Sequence, residues 1–285
     1  MSTWQIGDVK ITRIIESEGA WPGTWLLPDA TPENMKKEAS WLFPVFTDEN
    51  GKLRMSIHAL VIESQGKRII VDTCIGNDKV RSNPAWSKLK LPFLDDLKKA
   101  GYQREGIDNV VCTHLHVDHV GWNTMLQDGK WVPTFPNARY IVGGTEWDYW
   151  SRSEDKDSRD PVEDSVRPVV ESGHAQLVDS NHRITSEVWL EPTPGHTPGH
   201  HSVRISSKGQ DAVITGDLIH HPVQFLYPEW DDSFDSDLGM AKKTRRAFAE
   251  KYADSNVIVF GTHFATPSCG KIVRSGGAFK FKAVQ

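Results

Sequence analysis

The sequence predicts an α/β protein organised as one domain over residues 1–285. Short apolar segments rich in Val and Ile alternate with amphipathic helical stretches, and no linker rich in Pro or Ser, and no exact internal repeat, divides the chain. Four of the apolar segments also run into a histidine or aspartate just past their ends: IDNVVCT leads to His114, EVWLEPTPG to His196, DAVITG to Asp217 and NVIVFGT to His263. Loops at strand ends are where a rigid scaffold presents side chains, so this fourfold coincidence implies strands whose ends converge on one pocket.

The elements follow in order. Residues 4–16 alternate and are rich in Ile and Val, which reads as a strand, and EGAWPGTWLLPDATPEN then supplies the Gly, Pro and Asp of a long loop. Thr31 before Pro32 and Glu33 opens a short helix. Segments 56–63 and 67–72 are two strands joined at Ser64-Gln65-Gly66, a hairpin. Phe93, Leu94 and Leu97 have helical spacing within 92–101, with Lys98 and Lys99 near the end and Gly101 as the stop. IDNVVCT is the next strand, 138–142 another, and Thr145 before EWDYW predicts a capped helix. The polar stretch 151–165, SRSEDKDSRDPVEDS, reads as an exposed loop or insertion. Strands follow at EVWLEP, DAVIT and NVIVF. The last two are separated by a helix over 238–252 that sets Lys242, Arg245 and Arg246 against Leu238, Phe248 and Ala249.

Composition narrows the function. A chain of 285 residues with 38% hydrophobic and 25% charged residues can bury a sizeable core. Its net charge is −5 and no block of five like charges occurs, so neither nucleic acid nor an anionic membrane is an expected partner. The N-terminus lacks the pattern of a secretory signal, and no apolar run approaches the roughly 18 residues of a membrane span; a cytoplasmic location is expected. Cys74, Cys112 and Cys269 form no CxxC pair, which argues against a disulfide framework or a cysteine zinc site. They read as small buried hydrophobes. Among eleven Trp, Trp21 and Trp25 fall in turn-rich sequence and, with Phe225, are candidates for an apolar pocket wall.

The chemistry centres on 110–122, VVCTHLHVDHVGW. Alternate residues of an extended segment point the same way, so His114 and His116 can close on one ion, while Asp118 and His119 come where the chain turns and can face a second. Solvated loop histidines would explain one such residue, not this spacing. Two cations about 3.5–4 Å apart lower the pKa of a shared water toward ~7 and polarise a carbonyl or phosphoryl oxygen. Imidazole with carboxylate suits Zn²⁺ and also accepts Mn²⁺, Fe²⁺ or Co²⁺.

His-x-His-x-Asp-His at 114–119, His196 in TPGHTPGH, Asp217 in TGD, His263 in GTH, and VDT at 71–73 together resemble the metallo-β-lactamase-fold hydrolases. The resemblance implies a four-layered αββα sandwich with metals at one edge. It also implies that His114, His116 and His196 hold one metal, that Asp118, His119 and His263 hold the other, and that Asp217 bridges them. The bridging Asp217 sets the chain apart from the zinc β-lactamases, and His116 stands where the diiron flavoproteins carry Glu; the basic surfaces of the nucleases are missing. The mononuclear persulfide-oxidising branch shares much of the motif and stays open.

GDLIHHPVQF and GTHFATPSCGKIVR look like the lactonase and organophosphate-hydrolase branch. The small acyl-homoserine lactonases carry, three residues after the bridging Asp, a Tyr that touches the substrate carbonyl, and here that place is His220. Two roles stand for it, a substrate contact or a residue orienting Asp217. His221 is expected to be exposed. His200 and His201 lie on a strand that alternates, so at most one faces the site, in support rather than ligation, and Asp72 is a candidate support for a ligand histidine.

The sequence therefore predicts a dinuclear metal-dependent hydrolase with two divalent ions, zinc first, acting on a small ester-like bond, a lactone first. A metal-bridging hydroxide would attack the carbonyl, and Asp118 would pass a proton to the leaving alkoxide. Phosphotriester or aryl-ester hydrolysis is the alternative, then thioester hydrolysis; a mononuclear iron dioxygenase is the rival from another class. The partner is a small-molecule substrate, and the resemblance implies a homodimer.

Overall fold

The computed structural model describes residues 2–284. In chain order the strands are β1 (Ser2–Ile6), β2 (Val9–Trp21), β3 (Leu53–Ser64), β4 (Lys67–Val71), β5 (Asn109–Val111), β6 (Thr124–Gln127), β7 (Lys130–Pro133), β8 (Arg139–Gly143), β9 (Ala175–Val178), β10 (Val188–Pro192), β11 (His201–Ser207), β12 (Gln210–Ile214), β13 (Ile258–Phe260), β14 (Cys269–Ser275) and β15 (Ala278–Ala283). The chain falls into two compact units, one of the described residues up to Glu16 with Ile57–Trp189, the other of Ser17–Ser56 with the chain from Leu190 onward.

The first unit is built on the sheet β1-β2-β3-β4-β5-β8-β9. β4, β5, β8 and β9 run parallel, and the joining segments carry the helices that cover them, as parallel pairing demands. Helix Phe93–Lys99 turns Phe93 and Leu97 into a core with Val61, Ile70, Val110 and Tyr140. Burying each such side chain is worth about 1.5–3 kcal/mol, and Phe93 also stacks on Trp122 at 5.5 Å between ring centres. The hairpin between β3 and β4 turns through Gln65 and Gly66, both at positive φ, as a two-residue turn with primed geometry requires.

The second unit carries the sheet β10-β11-β12-β13-β14-β15 in sequence order. β12 and β13 are parallel, joined through helix Leu238–Tyr252. Asp237 caps that helix by accepting the Met240 N–H at 2.9 Å. Its buried Phe248, Ala249 and Tyr252 share a core with Val213, Val259 and Ile272.

The structure departs from the expected elements in four places. Residues 2–21 form two strands, β1 and β2, because Gly7 at φ 59° turns the chain between them. Thr145 lies inside helix Gly144–Trp150 rather than at its cap. Only 151–155 of the stretch 151–165 is a loop: Asp155 accepts the Ser158 N–H and caps helix Lys156–Pro161, which continues as a π-helical turn through Val162–Val166. Val162 and Val166 are buried there with Val169, an apolar stripe that begins only as the polar run ends. Asp128-Gly129, both at positive φ, make the tight hairpin of β6 and β7, which the sequence reading passed over.

Candidate metal centre

In the first unit the pairing of β4 with β5 and of β5 with β8 brings the carboxyl ends of three parallel strands side by side, where open α/β sheets place ligands. Asp72 follows β4 in the left-handed region, φ 55°. Its carboxylate accepts the Thr113 N–H at 2.8 Å, the Thr113 hydroxyl at 2.9 Å and His119 Nδ1–H at 2.9 Å. Asp72 thus supports a predicted ligand and pins the strand end that delivers it. The His114 ring centre lies 4.6 Å from that of His116 and 4.1 Å from that of His119, and His119 Nε2 is 3.6 Å from Asp118 Oδ1.

Residues without any motif hold this cluster. Wholly buried Glu146 accepts the Leu115 N–H at 3.2 Å and the Trp150 indole N–H at 2.8 Å, and the Trp150 ring packs on His116 at 5.1 Å. Glu16 accepts from Ile75 N–H, Gly76 N–H and the Trp122 indole. Burial raises its pKa, with those backbone bonds opposing the shift. A side chain at Gly121 would meet the Ile75 carbonyl oxygen at 1.8 Å, so only glycine lets the short helix Val117–Val120, bearing Asp118 and His119, lie against the 74–76 loop.

In the second unit the parallel ends of β12 and β13 deliver Asp217 and His263. The Asp217 carboxylate faces three imidazoles: Nε2 of His196 at 3.5 Å, of His220 at 3.0 Å and of His263 at 3.2 Å. The Nδ1 of His196 is hydrogen-bonded from behind to Asp235 at 3.1 Å and that of His263 to the Ser56 carbonyl at 3.1 Å, while the Nδ1 of His220 lies 2.7 Å from the Asp232 carboxylate. Asp235 also receives the buried guanidinium of Arg245 at 3.0 Å, which donates further to the Leu218, Pro228 and Trp230 carbonyls. His200 supports from below, its Nε2 accepting the Asp217 N–H at 2.8 Å while Nδ1 donates to the Thr193 carbonyl. Burial pulls the His220 pKa down, but Asp232 and then Asp217 overcome it and hold the ring well above its ordinary value.

This donor set suits divalent transition metals. Nε2 lone pairs and a carboxylate are borderline-soft and hard donors that Zn²⁺ accepts together, and an imidazole whose Nδ1 is engaged by a carboxylate or carbonyl is the usual form of a metal-binding histidine. Ligand atoms of Asp217, His220 and His263 all lie within 4.8 Å of one another. The structure thus gathers His114, His116, Asp118 and His119 in the first unit, and His196, Asp217, His220 and His263 in the second.

Other expectations need correction. His221 is buried, not exposed: its Nε2 meets the Phe46 carbonyl at 2.8 Å, its Nδ1 accepts the Val223 N–H, and burial lowers its pKa to about 4. Phe225 is wholly buried and stacked on Phe281 at 5.9 Å, a core residue rather than an exposed wall. Trp21 packs against the second core, whereas Trp25 is 49% exposed beside Phe234, ring centres 4.8 Å apart. The three cysteines are buried, as expected, and none forms a disulfide among the described residues. Sequence reasoning missed Glu16, Glu146, Asp232, Asp235 and Arg245; the acid-rich DDSFDSD at 231–237 was the one signal for any of them.

The family described as the Metallo-beta-lactamase superfamily matches residues 54–263. An N-acyl homoserine lactonase of Bacillus sp is 25% identical over 224 residues, which are 74% of this chain and 82% of that one. An N-acyl homoserine lactonase of Bacillus thuringiensis is 23% identical over 174 residues, 57% of this chain and 63% of that one. Among solved structures, the dizinc quorum-quenching lactonase AidC superposes with a TM-score of 0.81 at 22% identity, covering 100% of this chain and 97% of its own. The hydrolase AbOPH does so with a TM-score of 0.81 at 26% identity, covering 99% and 97%.

Proposed function

We propose, from the premise that this chain belongs to the metallo-β-lactamase superfamily, that it is a dinuclear metal-dependent hydrolase of a small ester-like bond, a lactone first. The chain has the mixed α/β metallo-β-lactamase fold. The observation that carries the reading is the Asp217 carboxylate with imidazole Nε2 atoms on both of its oxygens, each ring fixed from behind. His114, His116 and His196 would hold one divalent ion, Asp118, His119 and His263 the other, and Asp217 would serve both. Zinc is the first choice, as in the dizinc lactonase with this fold. When bound, two such ions supply a water nucleophile at neutral pH and polarise the acyl oxygen.

The protein's own residues then do the rest. Asp72 and Asp235 keep His119 and His196 in the tautomer with Nδ1–H turned away and Nε2 turned inward. Asp118, its side chain 12% exposed where that of His119 is sealed, can take a proton on its carboxylate and return it to the departing alkoxide. The similarity to N-acyl homoserine lactonases favours a lactone with an amide-linked acyl group, a phosphotriester or aryl ester being second. No helix among the described residues is long and apolar enough to cross a membrane. A cytoplasmic homodimer acting on a small molecule completes the reading.

Metal analysis followed by a panel of lactones, aryl esters, phosphotriesters and a carbapenem tests it. About two ions per chain are expected from seven candidate ligands, too many for one four-coordinate ion. Turnover of lactones should exceed that of the carbapenem, and chelation should abolish it until metal is restored. One ion per chain together with oxygen uptake on a persulfide would replace this reading with the mononuclear dioxygenase.

A further inference from the structure

Resting on that metal-binding reading, we propose that His220 is itself a metal ligand, an eighth donor sharing the ion held by His263, and that Asp232 is the carboxylate that orients it. The sequence offered His220 as a polar handle for the substrate or as a support for Asp217. Its surroundings do not fit the first role, and its contact with Asp217 accords with the second as well as with ligation. The ring is buried, lies nearly parallel to His263 with centres 5.4 Å apart and planes at 13°, and stands 4.9 Å from the ring centre of His196. Nδ1 faces Asp232 at 2.7 Å and Nε2 faces Asp217 at 3.0 Å. A ring so placed has no N–H to lend to a substrate carbonyl.

The support of His220 is a closed circuit. Its backbone N–H donates to Gln224 Oε1 at 2.8 Å, Gln224 Nε2 donates to Asp232 Oδ2 at 3.1 Å, and Asp232 faces the imidazole again. Asp232 Oδ1 is held by the Phe234 N–H at 3.1 Å. His119 with Asp72, and His196 with Asp235, show the same construction: Nδ1 against a buried carboxylate and Nε2 inward. With Nδ1 turned to Asp232, Nε2 faces Asp217 across a gap that takes either a proton or a cation, and a bound divalent ion would displace that proton. The ligand atoms of Asp217, His220 and His263, all within 4.8 Å of one another, could bind such a cation. Imidazole makes it a borderline divalent ion such as Zn²⁺ or Co²⁺. With His220 added, the ion held by His263 would have one more protein donor than the ion held by His114, His116 and His196.

The test uses the full chain, stripped of metal and titrated with Co²⁺, and with Zn²⁺ against a chromophoric chelator, for wild type, His220→Phe, His220→Gln and Asp232→Asn. Wild type should bind in two steps. In both His220 variants one step should weaken tenfold or more with a change in the visible Co²⁺ bands, the other step staying within threefold; Asp232→Asn should weaken the same step by less. Should His220→Gln keep both steps and the Co²⁺ spectrum while KM rises, His220 is a substrate contact and the proposal falls. Wild type that takes up no Co²⁺ would overturn this proposal and the hydrolase reading together. An absence of lactone turnover with His220-dependent metal binding would overturn only the substrate assignment.

Discussion

Asp72→Asn isolates the support of a candidate metal ligand, His119, from the ligand itself. Asp72 accepts three hydrogen bonds, from Thr113 N–H, the Thr113 hydroxyl and His119 Nδ1–H. Its backbone at φ 55° suits Asn equally, so the substitution changes hydrogen bonding without straining the chain. If the amide oxygen faces Thr113 N–H, the NH₂ group meets His119 Nδ1–H, donor against donor; if the amide flips, the clash moves to Thr113. A lost bond to a charged acceptor and a stranded buried donor together cost about 2–4 kcal/mol, a fraction of the ~5–15 kcal/mol that holds a typical domain, so the variant folds. His119 escapes the clash by taking the other tautomer, with its proton on Nε2, where it cannot bind metal. Metal affinity at that ion should fall about 10- to 100-fold, as for other lost supports of metal histidines. Urea unfolding of the metal-free protein and zinc competition with a chelator read the two effects separately. An unchanged zinc affinity in a variant of lowered urea midpoint would show that Asp72 only staples Thr113, and the tautomer argument would be wrong.

Two further outcomes are expected. Asp118→Asn should cut kcat by ~10²–10⁴-fold, more for alkyl lactones than for nitrophenyl esters whose leaving oxygen needs no proton; equal losses in a variant with full metal content would make Asp118 a ligand alone. Lys79 is wholly buried, its amine 2.8 Å from Thr124 Oγ1, 3.5 Å from Asp164 and 3.8 Å from the centre of the Trp131 ring, and burial lowers its pKa from 10.5 to about 7 against the pull of Asp164. The unfolded chain then binds the extra proton between pH 7 and 10.5, so wild-type stability should rise with pH across that window by up to ~1.4 kcal/mol per unit. Lys79→Met should lack this rise, and parallel urea midpoints for the two proteins from pH 6.5 to 9.5 would refute the shift.

The candidate ligands were legible because each closes a strand or belongs to one short motif. His114 to His119 span six positions, and Asp217 and His263 each follow an apolar run that could only be a strand. Their supports were illegible because the partner is remote in sequence: Glu16 meets Trp122 across 106 positions, His263 meets the Ser56 carbonyl across 207, and His221 meets the Phe46 carbonyl across 175. His221 looked like a loop residue because its neighbours are His220 and Pro222, and nothing local announces a carbonyl waiting in the interior. The misread helix at 156–166 has a different cause, since its buried face is Val162 and Val166 while every residue before them is polar or proline. A window closed at residue 165 cannot see that stripe.

Asp235 shows why these unseen residues matter to the chemistry. Its Oδ1 takes His196 Nδ1–H while Oδ2 takes Arg245 from the buried face of helix Leu238–Tyr252. Arg245 also holds the carbonyl of Leu218, the residue directly after Asp217. One guanidinium therefore fixes both the carboxylate that orients His196, a candidate ligand, and the backbone next to Asp217. The sequence marks that helix only as amphipathic, with Arg245 counted on its charged face; its burial shows that this charge is turned inward, where it holds Asp235 and the Leu218 carbonyl beside the candidate site.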